Sequence, residues 1–144
     1  MKVENSKYVR LEHKKINFHF GNFYFFNDFI IGELNEGIHF DLVKILQVVD
    51  KINNYYGENF KLVYIANRIN SYSTDPQSWP KLQAIGHNFI VATALVSYND
   101  IGFKVAAVEK QISKTYLKRY NNLNDAIIWA FEFSTLEKNN NSIR

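Results

Sequence analysis

The chain has 144 residues, 17 Lys and Arg against 14 Asp and Glu for a formal net charge of +3, 47% hydrophobic residues and no cysteine. That length suits one domain, which buries roughly 68% of the surface its unfolded chain exposes, and 12 Phe with 9 Tyr supply a core without crosslinks or metals. The missing thiols exclude disulfide scaffolds, thiolate zinc sites and cysteine nucleophiles, and basic residues scattered from Lys7, Arg10, Lys14 and Lys15 to Lys114, Lys118 and Arg119 form no stripe for a nucleic-acid backbone.

No apolar run approaches the ~18 residues of a membrane span, and Met1 to Lys7 lacks the apolar stretch of a secretory signal. A cytoplasmic protein without a transmembrane segment is expected. Residues 1–15 read as an N-terminal extension, 16–137 as the domain and 138–144 as a polar tail.

From residue 16 to 36 the aromatics cluster as in strands: Phe18, Phe20, Phe23 to Phe26, then Phe29 to Leu34. Asn27-Asp28 between the last two runs is turn chemistry, so an opening antiparallel hairpin is expected. Asp41 caps a helix in which Leu42, Ile45, Leu46, Val49 and Ile52 share one face, and Gly57 ends it. Phe60 to Ala66 reads as a buried strand that runs out into a polar loop, residues 67–75.

Asp75-Pro76 has the order of an N-cap and first helical residue, which predicts a helix to about Ile85 stopped by Gly86. Phe89 to Ser97 is a further strand, Asn99 or Asp100 caps a helix to about Gln111, and Tyr116 to Tyr120 is a short strand. Asn122 caps the last helix, where Leu123, Ala126, Ile127, Ala130 and Phe131 recur at helical spacing. The order β-β-α-β-α-β-α-β-α predicts an α/β domain with four helices and a single mixed, mostly parallel sheet opened by the antiparallel hairpin.

This order, with Val63 to Ser73 and Asp75-Pro76 as strand, loop and helix start, resembles the STAS superfamily, the fold of anti-sigma-factor antagonists and sulfate-transporter tails. The nearest likeness is to its stand-alone bacterial, SpoIIAA-like branch. Asn35-Glu36-Gly37, Ala92 to Tyr98, Glu109-Lys110 and Asp125 to Ala130 carry it further, over roughly residues 18 to 131. In the antagonists a partner kinase phosphorylates a serine where the helix after the third strand begins, and the phosphate blocks docking. The resemblance places Ser71, Ser73 and Thr74 in that neighbourhood, although the chain departs from the Asp-Ser-[Ser/Thr]-Gly signature of the phosphorylated class.

Among the chemistry-bearing residues, Arg68 lies just past a buried strand and near a helix start, where a guanidinium and free N–H groups hold a phosphate or carboxylate. The plainer reading has it pin its own loop to Glu33, Glu36 or Asp75. Asn67, Asn70 and Ser71 are residues that stabilise turns through side-chain-to-backbone bonds. His13, His19, His39 and His87 show no ligand spacing and no serine with a third partner, so neither a metal nor a triad is expected; His39 reads as a loop or capping contact near Glu36 and Asp41. Glu33 and Asn35 share a strand face and read as solvated strand-end groups. Trp79, Trp129 and the phenylalanines read as core and sheet cover.

No nucleophile, base and orienting group assemble, and no cofactor is implied. The sequence therefore reads as a non-catalytic protein-interaction or regulatory module. Its working edge is the loop with Asn67, Arg68, Asn70, Ser71, Ser73 and Asp75, together with the following helix. The resemblance implies phosphorylation at Ser71 or Ser73 and a regulatory kinase or anti-sigma-like factor as partner. The aromatic edge beside the hairpin implies a homodimer. The alternative is a small-molecule or lipid carrier, which needs a cavity of roughly 300 Å³ or more between sheet and helices.

Overall fold

The computed structural model describes residues 1–57, 60–87, 89–99 and 116–143, with backbone alone for Tyr116 and residues 137–143. Six strands form one sheet in the order β1 (Lys14–Phe18), β2 (Gly21–Phe25), β3 (Phe29–Leu34), β5 (Leu62–Arg68), β7 (Ile90–Ser97) and β8 (Tyr116–Tyr120). β1 to β3 are antiparallel, and β3, β5, β7 and β8 run parallel. The hairpin thus shares the sheet of the later strands, as expected, but has three strands rather than two. The exposed β1, with lysine at its first two positions and half-buried Ile16 and Phe18, carries too weak an apolar pattern to be read as a strand alone. A separate two-residue parallel ladder joins β4 (His39–Phe40) to β6 (Ser73–Thr74).

Three helices lie among the described residues: α1 (Leu42–Tyr56), α2 (Ser78–Ala84) and α3 (Leu123–Ile143). The helix expected from Asn99 or Asp100 to Gln111 lies, beyond Asn99, outside the described residues. Asp41 caps α1 by accepting Lys44 N–H at 3.2 Å, and Gly57 ends it at φ +86°, a conformation open to glycine at no steric cost. Asn122 Oδ1 accepts Asp125 N–H at 2.8 Å at the head of α3. The polar tail from Lys138 continues α3 through Ile143, since no Gly or Pro interrupts it and each added residue adds a backbone bond.

Side chains alternate across the sheet to make two cores. On one face Phe23, Ile30, Leu62, Tyr64 and Leu95 meet α1 and α2 through Ile45, Val49, Ile52 and Leu82. On the other, Ile31, Val63, Ile65 and Ala94 meet α3 through Leu123, Ala126, Ile127 and Ala130. Gly32 faces the first core, where a Cβ would lie 2.8 Å from both the Phe23 ring and Tyr64 Oη. Residues 1–10, two 3₁₀ turns, pack on the second face: Val3 is 0% exposed and Tyr8 is buried beside it. The segment set apart by sequence as an extension thus contributes Val3 and Tyr8 to the second core.

Candidate functional site

The C-terminal ends of parallel strands are where α/β sheets ordinarily place ligands and partners, and all six residues singled out by sequence lie there. The structure divides them. Asn67 and Arg68 belong to β5, not to the loop, because they pair with Val96 and Ser97 of β7. As neighbours on a strand they point to opposite faces, and both are buried, at 0% and 8% exposure.

Asn67 meets the N-terminal segment. Its Nδ2 donates to Met1 O at 2.8 Å and to Glu33 Oε2 at 2.7 Å, and its Oδ1 accepts the Tyr98 hydroxyl at 2.6 Å. Glu33 Oε2 also accepts Val3 N–H at 2.9 Å. Glu33 is therefore buried, at 6% exposure, and not the solvated strand-end group its sequence position suggests: the N-terminal segment covers it. Burial pushes its carboxyl above the usual range, against the opposing hydrogen bonds from Val3 and Asn67. Loss of solvent, and secondarily Glu33, push the Tyr98 phenol up to about 12.

On the opposite face, Arg68 Nη2 donates to Tyr72 O at 2.9 Å and the guanidinium lies 4.2 Å from the Tyr72 ring centre. Arg68 thus pins its own loop through the Tyr72 carbonyl and ring. The carboxylates of the neighbourhood brace backbone N–H groups: Glu33 as above, Glu36 Oε2 accepting Ser71 N–H at 2.7 Å, and Asp75 Oδ1 accepting Gln77 N–H at 3.0 Å.

The loop backbone is fixed along its length. Asn70 Nδ2 donates to Leu34 O at 3.0 Å; Gly37 N–H donates to Ser71 O at 2.7 Å, Ser73 N–H to Ile38 O at 3.0 Å and Asp75 N–H to Phe40 O at 3.3 Å. Ser71 and Ser73 stay exposed. Asp75 holds the turn before α2, which begins at Ser78 after Gln77 rather than at Pro76: Ser78 N–H donates back to Asp75 O at 3.0 Å, closing a tight turn first.

The ladder of β4 and β6 also brings His39 opposite Ser73, with Nδ1 and Oγ 2.7 Å apart. Sequence reasoning missed this pair because 34 residues separate its members. Among the described residues no carboxylate is hydrogen-bonded to His39, so the pair lacks the orienting group of a catalytic set. His13 stacks on Phe26, while His19 meets Phe20 and His87 meets Phe89 edge to face, and no group of three metal-ligating side chains occurs among the described residues.

Among the described residues, two hollows lie on the first face. One, between sheet, α1 and α2, is lined by Phe23, Ile30, Tyr64, Trp79 and Leu82; the other, beneath the loop, by Arg68, Tyr72, Thr74, Trp79 and Thr93. Each holds about 20 Å³, room for one water and far below the roughly 300 Å³ of a ligand pocket. No helix among the described residues is long and apolar enough to cross a membrane.

No family model and no curated protein matches the chain. Among solved structures it is similar to an uncharacterised DUF3478-family protein with a SpoIIAA-like fold from Shewanella loihica PV-4. The match has a TM-score of 0.51 at 10% identity and covers 83% of this chain and 92% of that one. The likeness read from sequence thus holds at the level of the fold, and the chain has a SpoIIAA-like fold.

Proposed function

We propose that the protein is a non-catalytic interaction or regulatory module that binds a protein partner through residues 69–75 and the start of α2. The observation that carries this reading is the combination in the loop of a backbone bonded at Gly37, Ser71, Ser73 and Asp75 with outward side chains at Ser71 and Ser73. A surface already fixed in its bound shape loses little entropy on association. Asn67 and Arg68 take part as supports beneath the edge. The hollows, at about 20 Å³, favour this reading over a carrier.

The regulatory step we propose is phosphorylation of Ser71 or Ser73 by a kinase, with an anti-sigma-like factor as the class of partner. A phosphate on Ser73 would lie within reach of the His39 ring and add about −1.5 to −2 charge to an edge that already carries Glu36 and Asp75. Capture of partners from the native cell with wild-type, Ser71→Asp, Ser73→Asp and matching Ala variants tests this. The expected result is one partner held by wild type and Ala variants and weakened at least about tenfold by one Asp variant, a change worth about 1.4 kcal/mol. Equal capture by all variants removes the switch, and capture of no partner removes the interaction reading.

A further inference from the structure

We infer that β1 is the seam of a two-fold dimer in which a second copy of the chain extends the sheet. β2 closes on β3 through Asn27-Asp28, with Phe26 N–H donating to Phe29 O at 3.0 Å. Ladder bonds in an antiparallel pair fall on alternate residues. The backbone groups of Tyr24 and Asn22 therefore face β3, and those of Gly21, Phe23 and Phe25 face β1, opposite Phe18, Ile16 and Lys14. This leaves the N–H and C=O of Lys15 and Asn17 directed off the sheet, where no strand follows among the described residues. Such a row is a template for another strand.

The edge complements itself in one register. Antiparallel pairing centred on Ile16 sets Ile16 against itself, Lys15 against the second copy's Asn17 and Lys14 against the second copy's Phe18. All five residues of β1 are used, and the hydrogen-bonded pairs fall on Lys15 and Asn17, whose groups point outward. Edge lysines ordinarily repel a second strand. Here no lysine meets a lysine: Lys15 is paired with Glu4, and Lys14 meets an aromatic ring. Ile16 and Phe18 already pack on the first core, so the second copy continues that core across an isologous interface.

The chain has no cysteine, so Ile16→Cys introduces a single thiol. Residues facing each other in a pair without hydrogen bonds have Cα atoms about 4.5 Å apart, within disulfide range. On mild oxidation of dilute protein, Ile16→Cys is expected to yield a species of twice 16.9 kDa roughly tenfold or more faster than Val43→Cys, because paired thiols meet at millimolar effective concentration. Val43 is a suitable control, being 67% exposed. Lys14→Cys, set against Phe18, is expected to match that control.

Asn17→Pro removes an outward N–H and leaves the β1–β2 ladder intact. By sedimentation equilibrium it is expected to weaken association roughly 30-fold, as two of four inter-copy hydrogen bonds are lost at their usual net worth. It also serves should Ile16→Cys fail to fold. A wild-type monomer, crosslinking at position 16 no faster than at 43, or a dimer indifferent to Asn17→Pro would each overturn the proposal.

Discussion

Residues 1–10 and residues 69–75 are two irregular stretches that meet the same end of the sheet, and they are held in opposite ways. The N-terminal stretch gives up its side chains: Val3 and Tyr8 go into the second core, while Glu33 and Asn67 hold its backbone. The loop gives up its backbone to the ladder with β4 and keeps Ser71 and Ser73 outside. Burial of side chains makes a wall, whereas fixing of backbone makes a surface for another molecule to read. Asn67 and Arg68, adjacent in β5, serve one stretch each.

The difference is largest for a buried charge. Val3→Asp places an unpaired carboxylate in the second core and is expected to cost roughly 3–5 kcal/mol, against about 0.5 kcal/mol or less for Ser71→Asp on the loop. Urea unfolding of the two variants measures both. Similar losses would erase the distinction between wall and surface. Next comes Asn67→Ala, which strands Met1 O, Glu33 and the Tyr98 hydroxyl and is expected to cost about 2–3 kcal/mol. Asn70→Ala, which removes one bond to Leu34 O, should cost about 1 kcal/mol.

A third test uses pH. Folding raises the Glu33 carboxyl above its unfolded value of about 4.3, so the folded state binds the proton more tightly. Its contribution is most favourable below that value and is lost as pH rises through the folded pKa. Glu33→Gln keeps an acceptor for Val3 and Asn67 without the titration. Its stability relative to wild type is therefore expected to increase with pH over that window, read from thermal melts at successive pH values; a constant difference would place Glu33 in water. Smallest are the caps. Asp41→Ala should cost about 1 kcal/mol, and Asp75→Ala, which loosens only a turn, about 0.5 kcal/mol.

The legible parts of the fold were those with local causes. Asp41, Gly57, Asn122 and the apolar spacing of α1 and α3 depend on residues a few positions apart, and the strand from Phe89 differs from the observed β7 by one residue. Three-and-four spacing cannot reveal that Val3 N–H seeks Glu33, because their meeting depends on the path of the whole sheet. For the same reason Glu33 looked like a solvated strand end and Asn67 like a loop residue. The exposure of Ser71 and Ser73 follows the general rule that turn-forming residues favour surfaces. The His39–Ser73 pair left no signal at all, since a two-residue ladder has no periodicity.

Native-state hydrogen exchange of the loop amides tests most directly whether residues 69–75 form a fixed surface. Gly37, Ser71 and Ser73, whose N–H groups are bonded to Ser71 O, Glu36 and Ile38 O, are expected to exchange at least roughly a hundredfold more slowly than unprotected amides. Exchange of those three amides at unprotected rates would contradict a fixed surface.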